Sequence, residues 1–251
     1  MKIIESNKIA VVALDNPPVN ALGIAELDAL ENILTQLESE NSTARVLVFL
    51  GNGKFFGAGA DLKMVSANLN LPDGADRMAD IAIRMHSVLK RIENLKIPTI
   101  AILNGSAMGG GLELTLACDL RILDESAKYG LPEVKLGLIP GYGGTQRLTK
   151  LIGRGQSLRL ILRGELISGT EAFALGIGQW VRPSAEVESF GMQIAQELAE
   201  KSVLSITAIK ECISLAGQQA GFDLEIDTSR KLMNDPEARA GLVSFFAAKK
   251  P

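Results

Sequence analysis

The sequence predicts an α/β protein with a largely parallel sheet, continued by a mostly helical C-terminal part. Three observations carry this. Short β-branched apolar runs alternate with amphipathic helical patterns through the first two thirds of the chain. Glycine-rich turns join several of these runs to the helices that follow. After GQWV the remaining patterns are all helical.

In order, KIAVVALD (8–15) reads as a strand, broken at Pro17 and Pro18, which cannot donate to a ladder. IAELDALENILTQLES (24–39) places Leu27, Leu30, Ile33, Leu34 and Leu37 at helical spacing. RVLVFLG (45–51) is a buried strand ended by glycine. GADRMADIAIRMHSVLKRIENL (74–95) is a long amphipathic helix with Ile81, Met85, Val88, Leu89 and Ile92 on one stripe. PTIAILNG (98–105) is a strand, LELTLACD a helix, and DLRILDES (119–126) a strand. TQRLTKLIG, RGQSLRLILRG and GTEAFALG are helical, GQWV is short and extended, and three helices follow. No fixed-period repeat or low-complexity linker divides the chain. The simplest organisation is one domain, residues 1–190, with a helical extension over 191–251.

Composition narrows the function. The chain has 251 residues, 47% apolar, 22% charged and 4% aromatic, so its core is aliphatic. Its net charge is −3, without a basic block, which argues against a nucleic-acid partner. The N-terminus lacks the pattern of a signal peptide and no apolar run is long enough to span a membrane, so a cytoplasmic location is expected. Cys118 and Cys212 read as small buried hydrophobes. The single histidine, His86, sits on a helix as a surface or boundary residue. One histidine cannot supply a multi-histidine zinc site, and Ser106 has no G-x-S-x-G elbow around it. Carboxylates, lysines, tyrosines and backbone amides remain as candidates.

The turns GNGKFFGAGADL (51–62) and NGSAMGGGLE (104–113) both follow strands and lead into helices. Ligands sit at that end of parallel strands, where helix N-termini present free amides. A dinucleotide fingerprint fails at every cluster: Phe56, Leu114 and Gln146 stand where the last glycine belongs. Two readings stay open for these glycines. Singly they are turn formers; together, two amides aimed at one point would stabilise charge on a carbonyl oxygen. The third turn, YGLPEVKLGLIPGYGGTQRL (129–148), carries Glu133 between apolar residues. Alone, Glu133 reads as a loop carboxylate facing water or capping the TQRL helix. Glu113 can be a helix first-turn acid that favours the dipole. Its neighbours Leu112, Leu114, Leu116 and Ala117 also fit a buried carboxylate with a raised pKa, useful for proton transfer.

GKFFGAGADLK, NGSAMGGGLELTLACDLRI and YGLPEVKLGLIPGYGGTQRL, in this order and spacing, resemble the crotonase (enoyl-CoA hydratase/isomerase) superfamily. The resemblance runs from about LDNPPVNAL to the C-terminal helices. It implies a spiral of repeated β-β-α units with a helical C-terminal region that packs in trimers, often hexamers. It implies acyl-CoA thioester substrates, with the thioester oxygen between the amides of Ala60 and Gly110. Ala58, Asp61 and Leu62 match the loop that contacts CoA. The two hydratase glutamates match Glu113, assigned mainly to the water, and Glu133, assigned mainly to the α-proton. No metal or redox cofactor is implied, because coenzyme A belongs to the substrate. The ending NDPEARAGLVSFFAAKKP departs from the family pattern, and Lys249 is the implied contact to CoA phosphates. The expected activity is hydration of a 2-enoyl-CoA to a 3-hydroxyacyl-CoA. The alternatives are an isomerase, a pathway-specific dehydratase of the same family, or a non-catalytic binding protein. Isomerases commonly keep one acid of the pair, which favours the hydratase.

Overall fold

The computed structural model describes residues 1–248, apart from the side chains of Lys2, Ile3, Glu5 and Ala248. Lys249 therefore lies outside the described residues. The chain begins with strands β1 (Lys2–Ser6) and β2 (Ile9–Leu14) and helix α1 (Ile24–Leu37). Three β-β-α units follow. The first is β3 (Val46–Gly51), β4 (Phe55–Gly57), α2 (Leu62–Asn68) and α3 (Gly74–Asn94). The second is β5 (Thr99–Leu103), β6 (Ser106–Met108) and α4 (Gly110–Leu116). The third is β7 (Leu120–Asp124), β8 (Lys128–Gly130), a 3-10 turn (Glu133–Leu136) and α5 (Gly144–Arg163). Then come β9 (Ile167–Ser168), α6 (Gly169–Ala174), β10 (Trp180–Arg182), α7 (Val187–Ala199), α8 (Val203–Ser214), α9 (Gln219–Asn234) and α10 (Pro236–Ala248).

Within each unit the first strand enters one sheet and the second strand enters another. The large sheet has the order β1-β2-β3-β5-β7-β10, the small one β4-β6-β8-β9. Among the described residues, β1/β2 and β8/β9 pair antiparallel and the other strand pairs are parallel. This is the expected spiral of β-β-α units. The second strands were not legible as strands: each has three residues, too short for a period to appear. Helix α5 spans both segments read as separate helices, and Gly153, at φ 75° and ψ 164°, breaks it between them.

The large sheet is buried on both faces, which is why its strands read as unbroken apolar runs. Alternate residues of β3 take opposite sides. Leu47 and Phe49 join the α1 stripe and the α3 stripe in one core. Val46 and Val48 join Ile100, Ile102 and Ile122 beneath Val187, Ala195 and Ala199 of α7. Position 190 thus falls inside a helix that covers the sheet.

One buried cation organises the second unit. Arg121, 2% exposed, donates from Nη1 to the carbonyls of Thr115 and Cys118 at the C-terminal end of α4, and from Nε to Ile177 O at 2.6 Å. Burial pushes its pKa down, and these carbonyls supply the negative potential it needs. Arg121→Met is expected to leave buried carbonyls unpaired and to lower stability by about 3 kcal/mol, read by urea titration.

Candidate active site

Two glycine contacts join the second unit to the units on either side of it. Gly109 caps α4 at φ 52°, a conformation that costs a side chain dearly, and its N–H donates to Gly130 O at 3.0 Å. A Cβ on Gly111 would lie 2.2 Å from Gly57 O, so only glycine lets α4 rest on β4. Helix α4 begins at Gly110, two residues earlier than its apolar pattern indicates. Gly110 therefore supplies a first-turn amide, which has no partner inside the helix.

Ala60 lies opposite. It forms an isolated parallel bridge with Leu22, made by Leu22 N–H to Gly59 O at 2.8 Å and Asp61 N–H to Leu22 O at 2.9 Å. Neither bond uses the Ala60 N–H. A Cβ on Gly110 would sit 3.6 Å from the Ala60 nitrogen, so the two loops converge at a few ångströms. Beyond Ala60, Asp61 caps α2 by accepting from Lys63 N at 2.8 Å. Ala58 is half-buried and its N–H donates to Val19 O at 3.0 Å, while Leu62 opens α2 with an exposed side chain. These three residues line the same loop.

Glu113 is 1% exposed. One carboxylate oxygen, Oε1, accepts the backbone amides of Tyr142 at 2.8 Å and Gly144 at 2.7 Å. Burial pushes its pKa up to about 7, and the nearby Glu133 charge pushes the same way. The two amides and the Arg147 charge oppose the rise.

Glu133 opens the 3-10 turn after Pro132 and is half-buried. A Cβ on Gly109 would touch its Oε1 at 3.0 Å, so the carboxylate rests against the start of α4. Its Oε2 is buried without a hydrogen-bond partner, and burial raises its pKa. The structure therefore brings Glu113, Glu133, Ala60 and Gly110 together. Both carboxylates are held above their ordinary range by burial, and the charge of Glu133 adds to the rise at Glu113. Beside them, two backbone amides from separate loops can receive one oxygen.

The sequence reading took Gly144 only as a turn former and did not assign Tyr142 or Arg147 to the site. Tyr142 packs its ring against Gly110, where a Cβ would lie 3.0 Å from two ring carbons. The GYGG run was visible, but its amides reach a residue about thirty positions upstream. No spacing rule connects them.

The family model for enoyl-CoA hydratase/isomerase matches residues 4–251. The chain belongs to the enoyl-CoA hydratase/isomerase family. A probable enoyl-CoA hydratase of Bacillus subtilis is 36% identical over 247 residues, covering 97% of this chain and 94% of that protein. An enoyl-CoA isomerase/hydratase of Mycosarcoma maydis is 36% identical over 222 residues, covering 87% of this chain and 79% of that protein. The crystal structure of an enoyl-CoA hydratase from Bacillus anthracis superposes with a TM-score of 0.90 at 34% identity, covering 100% of this chain and 97% of that one. Membership in this family fixes the crotonase fold and makes acyl-CoA thioesters the substrate class consistent with the site.

Proposed function

We propose that the protein is a 2-enoyl-CoA hydratase, with Glu113 and Glu133 as its acid–base pair and the Ala60 and Gly110 amides as its oxyanion hole. The observation that carries this is the pair of carboxylates beside two converging amides. An isomerase needs one acid; hydration uses two, one for the water and one for the α-carbon.

Water sits between the two carboxylates in this reading. Ionised Glu113 takes a proton from it as its oxygen attacks the β-carbon of the enoyl thioester. The electron pair moves to the thioester oxygen, and the resulting enolate charge is held by the Ala60 and Gly110 amides. Those bonds strengthen as charge develops, so they lower the barrier more than they stabilise bound substrate. Protonated Glu133 then delivers its proton to the α-carbon, and solvent exchange resets the pair. Hydration neither oxidises nor reduces the acyl group, so the proposal calls for no redox cofactor.

Ala58, Asp61 and Leu62 are the proposed CoA-contacting loop. The α8–α10 region is the proposed assembly surface for a homotrimer or hexamer. Its support is exposed apolar side chains on those helices, including Ile213, Phe222, Ile226 and Met233. The proposed compartment is the cytoplasm, where the free thiols of Cys118 and Cys212 would stay reduced. No helix among the described residues is long and apolar enough to cross a membrane.

The activity test is a panel of 2-enoyl and 3-enoyl CoA thioesters, read by enone absorbance. The proposal expects loss of the enone signal from 2-enoyl esters. Gain of that signal from 3-enoyl esters alone would instead identify an isomerase. The pH profile follows from Glu113. The folded protein holds its pKa at about 7, and the ionised form is the base. The rate is therefore expected to fall as pH drops through about 7, as the carboxylate takes up its proton. An ordinary carboxylate would instead keep the rate flat down to about pH 4.3.

A further inference from the structure

Arg147 belongs to the first turns of α5, close to the Tyr142–Gly144 turn it follows. Its side chain is 11% exposed and makes three hydrogen bonds in two directions. Nε and Nη2 grip the Glu93 carboxylate at 3.0 and 2.9 Å, near the end of α3. Nη1 donates to the Tyr142 carbonyl at 2.9 Å. The guanidinium also lies across the turn: a Cβ on Gly143 would collide with Nη1 at 2.3 Å. On the other side of the same peptide segment, the Tyr142 and Gly144 amides both point at Glu113 Oε1.

We propose that Arg147, anchored by Glu93, is a positioning residue that holds the Tyr142–Gly144 turn where both of its amides reach Glu113. The fork fixes the plane of the peptide that follows Tyr142, and α3 provides a rigid anchor outside the site. A planar guanidinium can hold a carboxylate with two bonds and still reach a carbonyl with a third. The inference rests on Glu113 being the water-activating base.

The groups around Glu113 allow positioning to be told from simple charge. Glu133 faces it from the 3-10 turn, Tyr142 from the loop and Arg147 from α5. From α3, His86 places Cε1 beside Gly143, and Glu93 lies behind Arg147. Removing Arg147 takes away a positive charge and loosens the turn, and both effects favour protonated Glu113. Removing the Glu93 charge does the opposite electrostatically, because a negative charge is lost. If positioning dominates, Glu93→Gln still favours protonated Glu113, because the anchor of the turn is weakened.

The test follows the Glu113 carboxyl by 13C NMR titration in Glu-labelled protein, assigned with Glu113→Gln. It is done in the full chain as wild type, Arg147→Met and Glu93→Gln, alongside crotonyl-CoA kinetics. The expected midpoint rises by about one pH unit in Arg147→Met, and by less but still upward in Glu93→Gln. In Arg147→Met, kcat at neutral pH is expected to fall about 10- to 100-fold with KM unchanged, since none of these side chains lies in the Ala58–Leu62 loop. A downward shift in Glu93→Gln, or unchanged midpoints in both variants, overturns the proposal. Glu93 is half-exposed at the surface, so its variant reports even if Arg147→Met misfolds. If wild type lacks turnover while the NMR midpoints rise, the hydratase reading fails and the positioning role stands.

Discussion

Glu113→Gln is expected to lower kcat for hydration of crotonyl-CoA by about 10²- to 10⁴-fold while the fold stays in place. The substitution keeps an acceptor oxygen for the Tyr142 and Gly144 amides, so the turn and α4 retain their mutual contact. In the proposed mechanism it removes the base that takes the proton from water. The folded protein gains nothing from ionising Glu113, because burial raises its pKa rather than lowering it. A neutral amide is therefore at least as well tolerated above pH 7 as the charged carboxylate. The thermal melt should shift by no more than a few degrees. A large loss of melting temperature together with lost activity would mark a structural role instead.

Gly110→Ala carries the second large effect. Its backbone is not in the left-handed region, so the chain itself accepts alanine at the start of α4. The difficulty is space. The new methyl would lie 3.0 Å from two carbons of the Tyr142 ring and 3.6 Å from the Ala60 nitrogen. It would crowd the place where the proposed oxyanion hole receives the thioester oxygen. Losing one such donor typically costs about 10²- to 10³-fold in kcat. The expected result is a loss of that size in kcat, with the melt lowered modestly by displacement of the Tyr142 ring. Near-wild-type kcat would remove Gly110 from the oxyanion hole.

Much of this architecture could be read before any coordinates. The strands of the large sheet are apolar on both sides because helices cover both faces, and that makes them conspicuous. Helices α1 and α3 were visible from their stripes, which are the residues buried against the sheet. The small sheet was not visible, because its strands β4, β6 and β8 each have three residues. That sheet is nevertheless what joins the GAGAD loop to α4, through the parallel pairing of β4 with β6. Sequence could show two similar glycine turns, but not that they meet. Glu113 stood out because apolar neighbours surround it. Glu133, also flanked by apolar residues, read alone as a loop carboxylate, because its packing against the start of α4 is a tertiary contact; the family resemblance is what assigned it to the site. Arg147 was hidden for a similar reason: its anchor, Glu93, is 54 residues away on another helix. The CoA contact read at Lys249 lies outside the described residues, so its test belongs to a Lys249→Ala variant rather than to geometry.

The most direct test of the account is the fate of one water molecule. Wild-type protein is incubated with crotonyl-CoA in 18O-labelled water, and the thioester product is weighed by mass spectrometry. The account predicts 3-hydroxybutyryl-CoA carrying one 18O at the β-carbon, formed rapidly by wild type and barely by Glu113→Gln. Unchanged crotonyl-CoA, a shifted double bond without mass gain, or equal labelling by both proteins would contradict it.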